Sequence, residues 1–541
     1  MSKDLSQFTS IAQNAELGDK YREFAYVVNS SMVRRLRERQ MLDSFFLAVV
    51  GKAADFSVPG AGKTATVLGV YAYLKHLGKV NKVIVVCPKN AFMSWESEWR
   101  ATFGNKDPLR CFCLADPRIA RMSKTMQQHT LELDTGNDNL LLLNYESLGK
   151  FVPQLKDLVP NHTLLVFDEV HRVKALGGKR ARAALDVSFG SKFTIALTGT
   201  PIPNTYQDIY NLLHILYPDD YDTFFGFDPD ELKDPDPNLA DRVNESLKPF
   251  FCRTSKTELG VPAPEPDTIL SVPATSSENR LLHILYSSCT NALALIVRTL
   301  QLESDPEMLT RAIDPEDLKY VLDQVGEDYT DLDFVDYSQE FPELVRESGP
   351  TSKLLRCEGL VKSLVQEGKP VIVWCIFIRS INNITDDLKA SGIAAASIHG
   401  STPQETREEI LNDFRAGKYS VLVTNPQTLA ESISLHKVCH DAVYFEYGYN
   451  LVHLLQSKDR IHRLGLSPDQ KTRYYFMQSD FTRDGMPFSL DEKIYNRLKE
   501  KEQTMLEAID GGYLEPGYLD SEDLRIIFGE LLGDESSKLT Y

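Results

Sequence analysis

The chain has 541 residues, which is enough for more than one hydrophobic core, since domains average about 150 residues. With 42% hydrophobic and 25% charged residues, it has the composition of a folded globular protein rather than a disordered one. No apolar run approaches the roughly 18 residues that span a bilayer, and the N-terminus lacks the apolar core of a secretory signal. We therefore expect an intracellular protein with no membrane partner, which is cytoplasmic in a prokaryotic or phage-infected cell and nuclear in a eukaryotic one.

The formal net charge of -18 argues against a nucleic-acid partner if the charge is spread evenly, because such affinity comes largely from cations that neutralise phosphates. Much of the excess negative charge, however, lies between Gln301 and Glu347 and between Leu514 and Tyr541. The rest of the chain is nearer neutral, which leaves room for a local basic surface. A solvated surface insert is the favoured interpretation of the first acidic segment, and a regulatory cover over the basic surface or a docking surface for a basic partner is the alternative.

The eight cysteines are scattered along the chain, and several lie in apolar runs such as VIVVC and VIVWC, where a thiol packs as a small hydrophobe. Cys111 and Cys113 form a pair spaced by one residue, with no second pair at zinc-finger spacing. We predict neither a disulfide framework nor a metal site built on cysteine.

Apolar residues at helical spacing between Tyr21 and Val50 predict one or two helices ahead of a glycine-rich loop. Strands are then predicted in VIVVCP, LLLLNY, LLVFDE and FTIALTGTP, which alternate with helical stretches up to about Pro218. A second alternating region starts near Ser352, with strands in VIVWCIF, AAASIHG, YSVLVTN, DAVYFEY and TRYYFMQ. Such near-continuous apolar runs indicate strands buried on both faces of parallel sheets, so we predict two α/β domains joined by helix and loop.

The loop from Ser57 to Thr64, SVPGAGKT, precedes a predicted helix, as a phosphate-binding loop requires. Gly60 and Gly62 let backbone N–H groups approach phosphates, Lys63 supplies a positive charge, and the Thr64 hydroxyl is a candidate ligand of Mg²⁺. The strict pattern begins with Gly where this chain has Ser57. That change is tolerable where the backbone does not need a positive φ.

Asp168 and Glu169 follow the apolar strand LLVF, at the edge of the sheet where α/β proteins bind ligands. Asp168 is the candidate Mg²⁺ residue, and Glu169 is the candidate that orients and polarises an attacking water. A pair of acids at a helix start that interacts with the helix dipole is the alternative interpretation.

The serial order of motifs resembles that of helicase superfamily 2 ATPases, and among them the Swi/Snf-type translocases on double-stranded DNA. Before and after the phosphate loop the chain carries LRERQ, PKNAFMSWESEW, LLNYESL, DEVHRVK, LTGTPIPN, LKPFFCRTSKTEL and QSKDRIHRLGL. The resemblance covers about residues 35 to 512 and implies an α/β fold of two RecA-like parallel-sheet lobes with a helical, acidic insertion between them. The implied domains are a helical extension (1–35), an ATP-binding lobe 1 (36–260), the insertion (261–350), lobe 2 with arginine fingers (351–512) and an acidic tail (513–541).

The resemblance also implies ATP and Mg²⁺ as cofactors. Gln40 is expected to select adenine, and the remaining ATP contacts are expected from Gly60, Ala61, Gly62, Lys63, Thr64 and Gln456. Thr64 and Asp168 are expected to hold Mg²⁺. Arg460 and Arg463, placed at i and i+3 on one helix face, are expected to act as fingers on the γ-phosphate, although such a pair is also typical of a solvated face.

Further roles follow from the same resemblance. His171, Thr198 and Thr200 are expected to couple the nucleotide state to lobe movement, although a lone histidine also fits a core position. Nucleic-acid contacts are expected from Trp95, Asn144, Lys174, Arg253, His399, Gly400 and Thr424. Trp95 fits an aromatic core stripe equally well.

The departures from the family pattern lie mainly in lobe 2. They are TNPQTLAESISLH, with Pro426 and Glu431 in place of small residues, HRLGL in place of HRxGQ, and Ile376 where a Gln is common. They indicate a divergent branch, which we expect to be prokaryotic or from a phage. No targeting module accompanies the motifs, so we expect protein partners to supply targeting.

The function that these features predict is ATP-dependent translocation on double-stranded DNA, in genome defence or repair. A strand-separating DNA or RNA helicase and an ATP-gated adaptor that never moves are the alternatives.

Overall fold

The computed structural model describes residues 15–201, 206–233, 235–256, 258–288, 292–311, 342–426, 428–429, 433–483 and 485–510. The chain forms two compact units. Of the described residues, those up to 260 and those from 504 to 510 form the first unit, and those from 261 to 503 form the second. Within the described ranges, no helix is long and apolar enough to cross a membrane.

In the first unit the helices are α1 (Ala15–Ser31), α2 (Glu38–Val50), α3 (Lys63–His76), α4 (Phe92–Phe103), α5 (Pro117–Ala120), α6 (Lys124–His129), α7 (Tyr145–Leu148), α8 (Val152–Leu158), α9 (Lys179–Ser188), α10 (Tyr210–Leu216), α11 (Tyr221–Phe224) and α12 (Pro237–Leu247). Its strands are β1 (Lys52–Asp55), β2 (Lys82–Val86), β3 (Cys111–Cys113), β4 (Leu140–Leu143), β5 (Thr163–Asp168), β6 (Phe193–Leu197) and β7 (Phe251–Cys252).

These seven strands form one sheet in the order β3-β4-β2-β5-β6-β1-β7, and all of its pairings are parallel. Every residue of β2 and β4 is buried, as the apolar runs predicted. On one face, α1 to α4 cover alternate strand residues with a core that contains Phe24, Phe45, Tyr71 and Trp99. Because all strands run the same way, their carboxyl ends meet at one edge, where the segments after β1, β5 and β6 lie next to each other.

In the second unit the helices are α13 (Ser276–Ser288), α14 (Ala292–Ser304), α15 (Pro342–Ser348), α16 (Ser352–Gln366), α17 (Ile378–Ala390), α18 (Gln404–Arg415), α19 (Leu451–Lys458) and α20 (Leu490–Asp510). The strands are β8 (Thr268–Pro273), β9 (Val371–Trp374), β10 (Ala395–Ile398), β11 (Val421–Thr424), β12 (Asp441–Tyr444), β13 (Arg473–Arg483) and β14 (Met486–Phe488).

The second sheet has the order β10-β11-β9-β12-β13-β14, and β8 also pairs with β13. The pairings are parallel except for the hairpin of β13 with β14. Its core is built mainly of aliphatic residues from β9, β11 and β12 and from α16 and α17. The fold class is therefore confirmed: the protein has two RecA-like α/β lobes.

The structure extends the predicted element set. All nine predicted strands are present, and β1, β3, β7, β8 and β14 are additional. The strand β8 lies in the segment predicted to be mainly helix and loop, and six of its residues pair with Tyr475 to Asp480 in the second sheet. Most of the acidic segment from Gln301 to Glu347 and the acidic tail lie outside the described residues.

Candidate functional site: a nucleotide-binding edge of the first sheet

The predicted phosphate loop connects β1 to α3. Gly60 and Gly62 have φ values of 87° and 85°, in the left-handed region that favours glycine. A Cβ on Gly62 would collide with Nε2 of Gln40, so this position needs glycine for space as well as for conformation. Ser57 is absent from the residues with positive φ, which explains why serine is accepted where the strict pattern has Gly.

The loop opens a 14-residue helix whose first residues are suited to an anion. Gly62, Lys63 and Thr64 are partly exposed, and the free N–H groups and dipole of a helix N-terminus favour negative charge. Lys63 Nζ donates to the Ser57 carbonyl oxygen at 2.8 Å, so its ammonium group is held over the loop. Positive charge, open glycine backbone and a threonine hydroxyl thus coincide, and they fit the triphosphate and Mg²⁺ that the resemblance implies.

Gln40 holds this loop from α2. Its Nε2 donates to the carbonyl oxygens of Ala61 at 3.1 Å and of Gly62 at 3.2 Å, while its Oε1 accepts from the Arg37 N–H at 3.1 Å. The side chain is 6% exposed. Selection of adenine by Gln40 remains a prediction, and the structure adds a second task, which is to fix the loop's backbone.

A buried polar cluster lies beneath the loop. Ser57 Oγ accepts from the Thr254 N–H at 2.9 Å, and Thr254 Oγ1 donates to Asp43 Oδ2 at 2.8 Å. Arg39 Nε lies 3.2 Å from Asp43 Oδ1 and donates to Thr254 Oγ1 at 3.0 Å. The cluster thus ties α2, the loop and the segment after β7 together. This role of Ser57 and Thr254 was not predictable from the sequence, because the two residues are far apart in the chain.

Two carboxyl groups are buried close to that cluster. Burial, reinforced by the charge of Asp55, raises the pKa of Asp43 to about 7. Burial also raises the pKa of Asp55, and the nearby Lys63 ammonium opposes that rise. Asp55 Oδ1 accepts from the Ser57 N–H at 2.9 Å and so shapes the start of the loop. Asp55 is the last residue of β1, so it lies at the same edge of the sheet as the loop.

Asp168 is the last residue of β5 and is partly exposed. Its Oδ2 accepts from Trp95 Nε1 at 2.9 Å, and its backbone carbonyl accepts from Tyr145 Oη at 2.8 Å. The next residue, Glu169, has φ 54° and ψ 51°, a left-handed conformation that is uncommon for a residue with a side chain. The chain therefore turns sharply there, and the two neighbouring carboxylates are directed by different backbone conformations.

The predicted coupling residues are brought together. His171 Nδ1 lies 3.0 Å from Thr198 Oγ1 and 3.3 Å from Glu169 Oε2. Thr198 Oγ1 also accepts from the Thr200 N–H at 3.1 Å. Since Thr198 follows β6, which lies between β5 and β1, this chain of contacts runs from the DEVH segment towards the phosphate loop along the sheet edge. Their role in coupling stays a prediction.

Two residues predicted to contact nucleic acid in the first unit are instead buried. Trp95 is 1% exposed, and Asn144 is fully buried, with Nδ2 donating to Glu146 Oε2 at 2.7 Å. Neither side chain offers a surface to DNA in this structure. Lys174 and Arg253 are partly exposed, and Arg253 Nη1 donates to the Phe56 carbonyl at 3.2 Å.

In the second unit, His399 is partly exposed and Gly400 is exposed, and both lie just after β10. Arg407 donates to the Gly400 carbonyl at 2.7 Å and to the His399 carbonyl at 3.2 Å, which orders this turn. Thr424, the last residue of β11, is fully buried, so its side chain is not accessible for the predicted contact with nucleic acid.

The expected placement of the two arginines on one helix face is wrong. The helix α19 ends at Lys458, because the chain turns there, and Arg460 and Arg463 lie in the turns that follow. Arg460 is 4% exposed, and its Nη1 donates to the Ile433 carbonyl at 3.1 Å. Gln456, on α19 itself, and Arg463 are both partly exposed.

Comparison with known proteins matches residues 57–296 to the SNF2-related domain and residues 352–465 to the helicase conserved C-terminal domain. The two matches fall on the two lobes in the order in which the motifs occur. The chain therefore carries an SNF2-related domain followed by a helicase conserved C-terminal domain. Its phosphate loop and its DEVH segment lie within the first match, and the segment with Gln456, Arg460 and Arg463 lies within the second.

Named relatives of this Swi/Snf-like chain include mouse SWI/SNF-related matrix-associated actin-dependent regulator of chromatin subfamily A member 1, 24% identical over 75% of this chain and 37% of the relative. Zebrafish chromodomain-helicase-DNA-binding protein 1-like is 24% identical over 82% of this chain and 40% of the relative. The chain thus spans about two fifths of the length of these relatives.

Among solved structures, the Sulfolobus solfataricus SWI2/SNF2 ATPase core in complex with dsDNA is 18% identical and covers 94% of this chain and 97% of its own, with a TM-score of 0.37. The fold assignment rests on the strand order and direction of the two sheets.

Proposed function

We propose that the protein is an ATP-dependent translocase on double-stranded DNA. The observation that carries the proposal is one edge of the first sheet, where the segments after β1, β6 and β5 bring together the phosphate loop, the Thr198–Thr200 segment and the Asp168–Glu169 pair. This is the arrangement that an ATPase of the family needs. The two carboxylates lie at the end of β5 and the phosphate loop follows β1, so the strand order of the sheet sets the spacing between them.

In the proposed mechanism, Lys63 leaves the Ser57 carbonyl and binds the β- and γ-phosphates, which the loop's N–H groups also hold. Thr64 and Asp168 would hold Mg²⁺, which neutralises developing charge on the phosphates when bound. Glu169 accepts a proton from the attacking water and orients it. Arg460 and Arg463 are proposed to stabilise charge on the γ-phosphate, and Gln40 and Gln456 complete the ATP contacts.

Double-stranded DNA is the proposed substrate, as expected from the motif order and from the names of the relatives, which refer to chromatin regulation and DNA binding. The accessible candidates for its contacts are Lys174, Arg253, His399 and Gly400. We also propose protein partners that supply targeting and, as a setting, genome defence or repair, which the divergent lobe 2 motifs support.

The ATPase assignment is tested by phosphate release in the presence of duplex DNA, single-stranded DNA or RNA. We expect duplex DNA to stimulate most, and Lys63→Ala or Glu169→Gln to reduce turnover about 100-fold or more. Lys75→Ala is the matched control, because Lys75 lies on the same helix near its other end and pairs with Asp107 at 2.6 Å. Full turnover by the folded Lys63→Ala protein would show that the site is assigned wrongly.

Movement is tested separately. A translocase displaces the third strand of a DNA triplex without leaving separated duplex strands, whereas a helicase separates them. Separated strands in a displacement assay would replace the proposal with the helicase alternative. ATP binding without triplex displacement would favour an adaptor that does not move.

A further inference from the structure

Trp95 lies in the second turn of α4, buried to 1% exposure, and its indole Nε1 donates to Asp168 Oδ2 at 2.9 Å. The acceptor is a partly exposed carboxylate that the proposed function makes a ligand of Mg²⁺. A hydrogen bond from a buried N–H to an ionised carboxylate is stronger than one between neutral groups. It is also directional, so it restricts the side-chain rotamer of Asp168.

The topology explains why this tryptophan reaches Asp168. The strands β2 and β5 are neighbours in the sheet, with Val86 opposite Phe167, so their carboxyl ends lie side by side. After β2 the chain makes the 3-10 turn Lys89–Ala91 and enters α4 directly. Residues in the first turns of α4 therefore lie close to the residue that ends β5.

Trp99, one turn further along the same helix, provides a contrast. It is also buried, but its Nε1 donates to the backbone carbonyl of Asp107 at 3.0 Å, and its ring packs against Tyr71 and Phe103. Trp99 is thus a core residue with a satisfied N–H group. Trp95 has equal burial, yet its partner is a carboxylate at the candidate nucleotide site.

The backbone of Asp168 is held as well. Tyr145 Oη donates to the Asp168 carbonyl oxygen at 2.8 Å, and Tyr145 is itself buried. Main chain and side chain of Asp168 are therefore fixed by aromatic residues from two different segments, both of which belong to motifs that were assigned to nucleic-acid contact. Removing a group that hydrogen-bonds to a metal ligand typically changes the metal affinity about 10- to 100-fold.

We propose that Trp95 is a positioning residue for Mg²⁺-dependent nucleotide binding, which acts by orienting the carboxylate of Asp168 rather than by touching DNA. This inference rests on the proposed function, because it takes Asp168 as a Mg²⁺ ligand. It assigns Trp95 to the ATP site and removes it from the nucleic-acid interface.

The test compares Trp95→Phe with Trp99→Phe in the full chain. Each substitution removes one indole hydrogen bond from α4 and keeps an aromatic ring. A fluorescent ADP analogue is titrated over a range of Mg²⁺ concentrations and again in EDTA. We expect Trp95→Phe to raise the Mg²⁺ concentration needed for half-maximal binding about tenfold without changing binding in EDTA, and Trp99→Phe to leave both unchanged.

An unchanged Mg²⁺ requirement in a folded Trp95→Phe protein would overturn the inference. A second measurement does not need that variant. The chain has three tryptophans, so Trp99→Phe and Trp374→Phe assign the remaining ¹⁵N indole signal to Trp95 by elimination. We expect this signal to shift on adding ADP with Mg²⁺ and to shift much less with ADP in EDTA. Equal shifts under both conditions would also overturn the inference.

A failure of the proposed ATP site and a failure of the role of Trp95 give different results. If the wild-type protein shows no nucleotide binding that Lys63→Ala abolishes, the proposed ATP site is wrong, and the inference falls with it. If the wild-type protein binds with a clear Mg²⁺ dependence that Trp95→Phe leaves unchanged, the ATP site stands and only the role of Trp95 is refuted.

Discussion

The two lobes share a fold but differ in how their predicted functional residues are arranged. In the first lobe, hydrogen bonds connect Gln40 to the phosphate loop, the loop to Thr254, and His171 to Thr198, and His171 also lies 3.3 Å from Glu169. In the second lobe, Gln456, Arg460 and Arg463 share one stretch of chain, and His399 and Gly400 lie after a different strand. The first lobe thus presents a preorganised site, whereas the second supplies separate groups.

Substitutions in the two lobes are therefore expected to have different effects. A site built from linked contacts transmits a local change to the whole loop, so stability and nucleotide binding change together. Groups that are supplied separately are expected to affect catalysis one at a time. Measuring binding, turnover and unfolding on the same variants therefore tests the comparison directly.

The largest effect is expected from the arginines. We predict that Arg463→Ala lowers ATP turnover about 1,000-fold with little change in unfolding free energy, because Arg463 is partly exposed. Arg460→Ala should lower turnover similarly and also reduce the unfolding free energy by about 1–3 kcal/mol, since it leaves the Ile433 carbonyl without its buried donor. Phosphate release and urea unfolding measure the two quantities.

The exposed Arg415→Ala on α18 is the control for both arginines, with turnover expected to stay at the wild-type level. Equal stability loss in Arg460→Ala and Arg463→Ala would break the distinction between a buried and a partly exposed group.

The phosphate loop should give the next largest effect. Gly62→Ala places a Cβ against Gln40 Nε2 at a φ of 85°, and we expect nucleotide affinity to fall about tenfold, a loss of about 1.4 kcal/mol. Gly78→Ala is matched, because Gly78 has a φ of 67° with no atom within 4 Å of the added Cβ. It should cost about 1 kcal/mol of stability and leave affinity intact. Equal affinities for the two variants, measured by equilibrium titration of a fluorescent ADP analogue, would contradict the role of Gln40 in fixing the backbone of the phosphate loop.

The smallest effect concerns pH. The pKa of Asp43 is raised to about 7 in the folded state, so the folded protein binds a proton there that the unfolded chain releases at lower pH. Its contribution to stability is therefore present at low pH and is lost as pH rises through 7, by about 1 kcal/mol between pH 6 and pH 8.

Urea unfolding at several pH values checks this dependence on Asp43. Asp43→Asn should remove the fall in unfolding free energy between pH 6 and pH 8. Asp186→Asn, at a half-exposed carboxylate paired with Lys156, should leave that fall unchanged. A wild-type curve that rises between pH 6 and pH 8 and is unaltered by Asp43→Asn would contradict the assignment of Asp43.

Much of the fold was predictable because parallel strands buried on both faces leave continuous apolar runs. The run LLLL of β4 is a clear case, since all four residues are buried. The strand β8 was not predictable in this way. Its residues Thr268 to Pro273 are exposed or partly exposed, so no apolar run marks it, and its partner β13 is far along the chain.

The residues of the candidate site also differ in how well the sequence predicts them. Gly60, Gly62 and Lys63 were predictable because a phosphate loop is a local pattern of conformation and charge. The contact of Trp95 could not be assigned from the sequence. An aromatic residue on an amphipathic helix gives the same sequence pattern whether its side chain faces the core, DNA or a carboxylate. Only the adjacency of β2 and β5 shows its partner.

The pairing of β8 with β13 also has a consequence for how the protein is made. Thr268 lies opposite Tyr475, roughly 200 residues later, so β8 leaves the ribosome long before its partner exists. At about 5–20 residues per second, it waits on the order of 10–40 seconds before its partner β13 is synthesised. Chaperone dependence during synthesis is therefore expected to concentrate on this strand, and a separately expressed second lobe needs to begin ahead of Thr268.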